Sequence, residues 1–309
     1  MKIVIFGLGS IGERHAKLLL DNFDHELFVF RSNKNSIPNS LGIKEIFTWK
    51  EIEKIKPDAA FIANPTFLHI KTALKCAELG MHLFIEKPLS HNLDDIDKLA
   101  SVCRQKKMIC YVAYCLRFHP VISKMKKLIE NKKIYHTRVV CSSYLPDWRK
   151  ERRLYDVYSA YSKKGGGVLL DLSHEFDYIQ YLFGQIKEIK GNIGRVGNIT
   201  VDAEDFADVL IKTVGSLYVN LHLNFMSHLN ERRIVIDFEN GYLIGDLILS
   251  KIEFLDGAGV KRIQLSDDRN EYLLSQIQYF FDNLKNPLII NNLKEAKNLL
   301  VNILEFKNA

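Results

Sequence analysis

Short apolar runs alternate with longer amphipathic stretches through the first third of the chain. The apolar runs, predicted as strands, are Lys2–Phe6, His25–Ser32, Pro57–Asn64, Met81–Lys87 and Met108–Tyr114. The intervening stretches, predicted as helices, are Ser10–Phe23, Trp49–Lys56, Thr66–Gly80 and Asn92–Lys107. This alternation is typical of an α/β fold with a doubly wound parallel sheet. We expect its ligand beyond the carboxyl ends of the strands.

The pattern changes after about Phe118, where longer strands follow one another through short turns. The predicted strands include Tyr135–Tyr144, Ser216–Met226, Arg232–Phe238 and Gly241–Ile248, and two helices near residues 271–285 and 293–306 close the chain. Consecutive hairpins predict an α+β domain with a large open sheet that is antiparallel or mixed. We therefore expect two domains, residues 1–118 and residues 119–309.

The first strand leads into a turn with three glycines, in the sequence IFGLGSIGERH. Gly7 is expected to make the turn, Gly9 to let a pyrophosphate approach, and Gly12 to let the helix pack on the strand. Ser10 and Ile11 begin that helix, whose free amides attract an anion. An ordinary glycine-containing turn shows the same residues, but the position between a strand and a helix favours dinucleotide binding.

Composition narrows the classes of function. Hydrophobic residues make up 47% of the chain, no stretch is long and apolar enough for a membrane span, and the cysteines form no CxxC pair. We expect a cytoplasmic protein with reduced thiols. The 43 Lys and Arg against 37 Asp and Glu give a net charge of +6, spread along the chain. Without a basic stripe or a reading helix, this charge suits anionic small molecules better than nucleic acid.

Four further sequences follow the Gly-rich turn in a specific order: ANPTFLH from Ala63, EKPLS from Glu86, LRFHP from Leu116 and GGGVLLDLSHEFD from Gly165. Taken together, they resemble the Gfo/Idh/MocA family of oxidoreductases over essentially the whole chain. The resemblance implies an N-terminal Rossmann domain that binds a nicotinamide cofactor and a C-terminal domain that carries much of the substrate site. Family members mostly oxidise or reduce a hydroxyl-bearing carbon of sugars, cyclitols or nucleotide sugars.

The resemblance also implies roles for single residues. By position, Lys87 matches the catalytic lysine of the family, and Asp171 and His174 match its aspartate and histidine. The resemblance implies that all three residues also contact the substrate. The further residues that it places at the cofactor are Asn64, Pro65, His69, Glu86, Lys87 and Arg117. Only Leu172 and Ser173 separate Asp171 from His174, where the family commonly has three residues, which points to a subgroup. A homodimer or homotetramer through the C-terminal sheet is expected.

The residues themselves suit alcohol oxidation. Histidine titrates near neutral pH, so His174 can take the hydroxyl proton, and the Lys87 cation can stabilise negative charge on the substrate oxygen. The stretch Val168–Gly184 is predicted as one helix, which places Asp171 and His174 on one face. The alternative for His174 is a packing histidine, and Asp177 is interpreted as a cap or brace. Because zinc sites need more His or Cys ligands, we expect no metal.

Cofactor choice is expected at the end of the second strand. An acidic residue there binds the ribose of NAD, but this chain has Arg31 and Ser32 instead. Arg31 can pair with a 2′-phosphate and Ser32 can donate to it, so NADP is favoured over NAD. The alternative is a solvated loop arginine.

The segment Leu145–Lys164 is rich in Arg and Tyr. Trp148, Arg149 and Tyr158 are predicted substrate contacts that would stack on a ring and clamp a phosphate or carboxylate; a solvated surface loop is the alternative. Because the DWR stretch before GGGVLLDLSHE is similar to family members of bacterial surface-glycan synthesis, a nucleotide-linked or acidic sugar is the expected substrate. A non-catalytic, dinucleotide-sensing regulatory protein of the same fold is the second functional hypothesis.

Overall fold

The computed structural model describes residues 1–32, 38–149, 158–200 and 202–309. The chain forms two compact units. The first contains Met1–Ala113 and Leu273–Leu300, and the second contains Tyr114–Tyr272 and Val301–Ala309. The predicted domains, 1–118 and 119–309, divide the chain at a single point, whereas the first unit here also includes a segment from near the C-terminus.

The first unit is built on a parallel sheet. Its strands are β1 Lys2–Phe6, β2 Glu26–Phe30, β3 Lys44–Ile46, β4 Ala59–Ile62, β5 His82–Glu86 and β6 Cys110–Ala113, in the spatial order β3-β2-β1-β4-β5-β6. The helices between them are α1 Ser10–Asn22, α2 Trp49–Ile55, α3 His69–Glu78 and α4 Ile96–Lys106. The predicted doubly wound α/β sheet is confirmed. Strand β3 was not predicted, because its short run of Lys44, Glu45 and Ile46 has no apolar pattern of its own.

Aromatic packing explains why the segment Leu273–Leu300 belongs to the first unit. Phe61 and Phe84 stack on neighbouring strands with their ring centroids 4.4 Å apart. Phe280 meets Phe84 edge-on at 5.5 Å and is itself fully buried. Burying a ring of this size contributes about 2 to 3 kcal/mol. The amide of Val112 on β6 also donates to the carbonyl of Asn291, at 2.8 Å.

The second unit is built on an eight-stranded sheet. Its strands are β7 Ile134–Tyr144, β8 Ile186–Gly194, β9 Phe206–Thr213, β10 Tyr218–Asn224, β11 Met226–Phe238, β12 Gly241–Asp246, β13 Lys251–Asp256 and β14 Val260–Gln264, in the spatial order β14-β13-β12-β11-β7-β10-β9-β8. Only β7 and β10 pair in parallel among these strands, and the other neighbours are antiparallel. The prediction of a large, mainly antiparallel sheet is confirmed.

The remaining helices are α5 Pro120–Leu128, α6 Val168–Asp171, α7 Ser173–Phe183, α8 Arg269–Asp282 and α9 Leu293–Asn308. In the second unit, α5 packs on β12 and β13, and α6 packs on β9 and β10. Side chains alternate along β10, where Val219, Leu221 and Leu223 are buried and Tyr218 and Asn220 are exposed. One face of this sheet therefore forms the core. Within the described ranges, no helix has both the length and the apolar character that a membrane span requires.

Candidate functional site

The Gly-rich turn joins β1 to α1 in the first unit. Gly7 has φ +92°, and a Cβ there would lie 2.7 Å from the Ala63 carbonyl oxygen; a Cβ on Gly12 would overlap the carbonyl oxygen of Gly7. A Cβ on Gly9 would meet nothing within 4 Å. Gly7 and Gly12 are therefore required by packing, while Gly9 leaves open space where α1 begins.

This geometry fits the pyrophosphate of a dinucleotide. The first amides of a helix lack partners within it, and here those of Ser10, Ile11 and Gly12 begin α1 directly after Gly9. The helix dipole adds partial positive charge at this end. A side chain on Gly9 would occupy the open space, so its absence lets an anion approach the amides.

Asn64, Pro65 and Lys87 lie at the same edge of the sheet as the Gly-rich turn. Asn64 and Pro65 follow β4, which pairs with β1, and Lys87 follows β5, which pairs with β4. Asn64 Nδ2 donates to Thr72 Oγ1 at 2.9 Å, which fixes the amide of Asn64. The structure thus brings three predicted cofactor segments together at one edge.

His69 and Glu86, predicted to contact the cofactor, have protein partners. The buried His69 ring lies between two carbonyl oxygens, those of Asn64 at 2.8 Å and Pro88 at 3.0 Å. Burial lowers the pKa of His69, against the opposing effect of these carbonyls and of Glu86. Glu86 Oε1 lies 2.6 Å from Nε2 of the buried His15. Direct contact of His69 and Glu86 with a cofactor stays a prediction.

Arg31 lies at the end of β2, as predicted, but it is ion-paired. Its Nη1 is 3.1 Å from Glu45 Oε1. Asn39 donates to the same carboxylate through its backbone amide and Nδ2, and these hydrogen bonds, with Arg31, hold the pKa of Glu45 below its usual value. Ser32 is exposed. Sequence reasoning missed Glu45 because it lies on β3, and only the β2–β3 pairing, Val29 opposite Glu45, brings it beside Arg31.

His174 is half-buried in the first turn of α7, in the second unit. Its Nε2 lies 3.9 Å from Cys115 Sγ, and its ring meets the Tyr114 ring edge-on with centroids 5.6 Å apart. Burial raises the pKa of the Tyr114 phenol, and Asp177 raises it further, so the phenol stays neutral beside the imidazole. No sequence pattern pointed to Tyr114 or Cys115 as neighbours of His174.

The prediction of one helix from Val168 to Gly184 is wrong at Leu172. Helix α6 ends at Asp171, and Leu172 has φ −97° and ψ 26°, outside regular helical geometry, before α7 begins at Ser173. The two helices have different partners, Glu204 for α6 and two arginines for α7. Asp171 is 4% exposed, so its carboxylate is nearly enclosed by protein.

Two arginines hold α7 through its buried carboxylates. Arg117 donates to Asp177 from Nε at 3.0 Å and from Nη2 at 2.7 Å, and both side chains are buried. Arg232 on β11 donates to the fully buried Glu175 at 2.6 Å. Bidentate pairing fixes orientation as well as distance. The predicted cofactor role of Arg117 stays a prediction, and the Asp177 brace suggested by the sequence has Arg117 as its partner.

Gly167, directly before α6, makes room for another carboxylate. Gly167 has φ +104°, and a Cβ there would overlap the Glu204 carboxylate. Glu204 accepts from the amide of Leu169 at 3.4 Å and pairs with Lys307 at 2.9 Å. Glu204 therefore caps the start of α6, the helix that ends at Asp171. The GGG run in the sequence signals a close contact at this point. It does not show that Glu204 is the residue that makes the contact.

Three substrate contacts were predicted between Leu145 and Lys164, and the structure describes the side chain of one of them, Trp148. It is 43% exposed, donates from Nε1 to Ser143 Oγ at 2.8 Å, and packs edge-on against Phe225. The side chains of Arg149 and Tyr158, and all of residues 150–157, lie outside the described part of the chain. Trp148 presents an exposed indole next to the end of β7.

Two models of one protein family match consecutive parts of the chain. Residues 1–114 match the GFO/IDH/MocA model described as an oxidoreductase family with an NAD-binding Rossmann fold, and residues 122–244 match the GFO/IDH/MocA C-terminal domain. Levoglucosan dehydrogenase in complex with NADH and levoglucosan has the same fold, with a TM-score of 0.85 at 16% identity, covering 100% of this chain and 96% of that chain.

Two curated relatives match over part of their length. Myo-inositol 2-dehydrogenase of Thermotoga maritima is 27% identical over 212 residues, 66% of this chain and 60% of that protein. A 2,7-anhydro-N-acetylneuraminate hydratase of Mediterraneibacter gnavus is 26% identical over 221 residues, 70% of this chain and 56% of that protein. The aligned region thus spans less than two thirds of either relative. With both family domains matched in order, and the Gly-rich turn and EKP sequence at one sheet edge, the chain belongs to the GFO/IDH/MocA family of oxidoreductases.

Proposed function

We propose that this protein is a nicotinamide-dependent dehydrogenase that transfers a hydride between its cofactor and a hydroxyl-bearing carbon of a sugar, nucleotide sugar or cyclitol. One observation carries the proposal: the Gly-rich turn, Asn64–Pro65 and Lys87 follow the adjacent strands β1, β4 and β5. The strand order reverses between β1 and β4, and this is where doubly wound sheets bind dinucleotides. Lys87 then lies at the ligand-binding edge.

Three side chains are assigned to proton transfer, charge stabilisation and substrate binding. The cofactor, when bound, supplies the hydride acceptor or donor. His174 acts as the general base that takes the hydroxyl proton as the carbonyl forms, and as the acid in the reverse direction. Lys87 stabilises the negative charge that develops on the substrate as the hydride moves. Asp171 is assigned to substrate binding, where its carboxylate would accept hydrogen bonds from hydroxyl groups.

The substrate is proposed to be a nucleotide-linked or acidic sugar. Trp148 supports this choice, because an exposed indole fixed through Nε1 offers a stacking surface for a sugar or base. Arg149 and Tyr158 complete the proposed contacts. The names of the relatives, a myo-inositol dehydrogenase and a hydratase of an anhydro sialic acid, agree with a cyclic polyol or acidic sugar as substrate class.

The choice between NADP and NAD depends on Arg31. The sequence favours NADP, since Arg31 and Ser32 stand where NAD enzymes have an acidic residue. The Glu45 carboxylate, 3.1 Å from the Arg31 guanidinium, would repel a 2′-phosphate approaching that cation. We propose that this pair sets the cofactor preference, with Arg31 attracting the phosphate and Glu45 opposing it.

Self-association through the second-unit sheet is also proposed. Its strands expose large side chains, among them Tyr135 at 55%, Tyr218 at 44% and Leu210 at 39%. Next to them are polar pairs such as His222 with Asp208, at 2.6 Å. A sheet face of this kind suits a homodimer or homotetramer, and the mass in solution, measured by light scattering, tests it.

A cofactor and substrate screen tests the enzyme proposal. The protein is denatured and any released nicotinamide dinucleotide identified, and reduced-nicotinamide absorbance is then followed with a panel of UDP-sugars, uronic acids and inositols. Turnover by the unmodified protein and its loss in Lys87→Met would support the proposal. Tight dinucleotide binding without turnover of any sugar or cyclitol would instead support the regulatory alternative.

A further inference from the structure

Two buried histidines, on different helices, hold the residues on either side of Lys87. His15 on α1 binds the side chain of Glu86, and His69 on α3 binds the backbone of Pro88. We propose that His15 and His69 are positioning residues, which fix the chain before and after Lys87 and so place its ammonium group. The proposal rests on the proposed function, since Lys87 has its catalytic role there.

His15 holds the side before Lys87. Its side chain is 1% exposed, and Nε2 lies 2.6 Å from Glu86 Oε1. The ring meets Phe84 edge-on with centroids 5.2 Å apart, and Phe61 at 6.1 Å. Because these rings limit how the imidazole can turn, the Glu86 carboxylate is held in one direction. A hydrogen bond to a charged group of this kind is stronger than one between neutral groups.

His69 holds the side after Lys87. It is 2% exposed and begins α3, with Nδ1 3.0 Å from the Pro88 carbonyl oxygen and Nε2 2.8 Å from that of Asn64. The ring thus ties the turn after β5 to the turn after β4. A neutral imidazole donates to one of these carbonyls and an imidazolium to both. The imidazolium and the neutral tautomer protonated at Nδ1 both donate to Pro88, and so link the Lys87 turn to the helix that follows the neighbouring strand.

His15 connects the residue before Lys87 to the helix that begins at the Gly-rich turn. Helix α1 begins at the Gly-rich turn and carries His15, so the His15–Glu86 hydrogen bond spans from the helix that faces the pyrophosphate to the residue before Lys87. Displacing a catalytic group by about 1 Å costs on the order of 10²-fold in rate. Loosening either histidine should therefore reduce turnover more than it reduces dinucleotide affinity.

The kinetic test uses His15→Leu and His69→Leu in the full chain, with His15→Gln as the conservative variant. His82→Gln is the matched control, because His82 lies on the same strand as Glu86 but at its opposite end, accepting from the Ile109 amide. In both Leu variants kcat should fall about 10- to 100-fold, with the dinucleotide Kd changed by less than about threefold. His15→Gln, which can still donate to Glu86, should recover most of kcat, and His82→Gln should keep it.

Amide hydrogen exchange gives a second measurement that needs no substrate. Peptides covering residues 84–90 should exchange faster in both Leu variants and at the original rate in His82→Gln. Suppose that the Leu variants exchange faster but the unmodified protein turns over no sugar or cyclitol. The proposed function would then be rejected, and the positioning role of the two histidines would be kept. Unchanged exchange and kcat, or a dinucleotide Kd weakened as much as kcat, would overturn the positioning role. If a Leu variant does not fold, His15→Met or His69→Met, which also lacks the hydrogen bond, replaces it under the same criteria.

Discussion

Arg31 and Glu45 form an ion pair at the end of the second strand, with 3.1 Å between Nη1 and Oε1. Both side chains are less than one-fifth exposed, and Asn39 binds the same carboxylate. The cation that favours NADP in the sequence therefore has a carboxylate beside it. We propose that cofactor preference depends on the balance between these two charges.

Arg31→Asp should weaken NADP binding far more than NAD binding, because it removes a charge-assisted contact and adds repulsion toward the 2′-phosphate. Glu45→Gln should act in the opposite direction and improve NADP relative to NAD by about tenfold, equivalent to about 1.4 kcal/mol. Calorimetric titration of each variant with both cofactors measures the ratio. Equal changes for the two cofactors would remove Arg31 and Glu45 from cofactor discrimination.

Gly9→Val should abolish dinucleotide binding in a protein that remains folded. The valine side chain would enter space that is open in the structure and that we expect the pyrophosphate to occupy. Gly12→Ala provides the contrast, since its Cβ would overlap the Gly7 carbonyl and should lower stability as well. Calorimetry and thermal unfolding separate the two effects. An unchanged affinity in Gly9→Val would show that the pyrophosphate binds elsewhere.

Lys87→Met and His174→Ala should affect chemistry more than cofactor binding. Loss of one preorganised donor typically costs about 10² to 10³ in rate, so Lys87→Met should lower kcat by at least this factor. His174→Ala should lower kcat by about 10² to 10⁴ and remove a pH dependence due to one ionising group. Steady-state kinetics across pH, with cofactor Kd measured separately, check both. Normal kcat in both variants would place the catalytic site at other residues.

The Arg117–Asp177 pair should be a major contribution to stability. Removing one partner of a buried ion pair leaves the other charge uncompensated and costs about 3 to 5 kcal/mol, so Arg117→Met should lower the free energy of unfolding by this amount. Arg117→Met combined with Asp177→Leu should lose less, because neither charge then remains buried. Urea denaturation measures the difference. If Arg117→Met keeps its stability but loses dinucleotide affinity, Arg117 is a cofactor contact instead.

His119 should make the protein sensitive to acid. Burial, with Arg232 adding to it, lowers the pKa of His119 to about 4 from an unperturbed 6.5. Above pH 6.5 the ring is neutral in both states. As pH falls from 6.5 to 4 the unfolded chain takes up the proton first, so stability is lost progressively, by about 3 kcal/mol in all.

His119→Asn is the variant that checks this prediction. His119 caps α5 by accepting from the Val121 amide at 3.2 Å, and asparagine is also a good N-cap but does not titrate. The free energy of unfolding of this variant should fall less between pH 6.5 and 4 than that of the unmodified protein. Parallel curves for the two proteins would exclude His119 as a source of the acid sensitivity.

Local features of the chain were predictable because neighbouring residues determine them. The strand–turn–helix unit around Gly7, Gly9 and Gly12 requires an apolar strand, glycines in the turn and residues that begin a helix. All of these lie within one short stretch of sequence. The alternation of strand and helix likewise specified the parallel sheet, since its connections follow from the order of elements. The sheet edge that holds Lys87 follows from its place at the end of the predicted strand Met81–Lys87.

Tertiary structure decided the partners of the charged groups. Glu45 reaches Arg31 through strand pairing, Asp177 reaches Arg117 across 60 residues, and Glu86 reaches His15 across 71. Periodicity reports which face of an element is apolar, but not which distant polar group will meet it there. The return of Leu273–Leu300 to the first unit and the helix break at Leu172 have the same origin, because each depends on contacts with residues far away in the sequence.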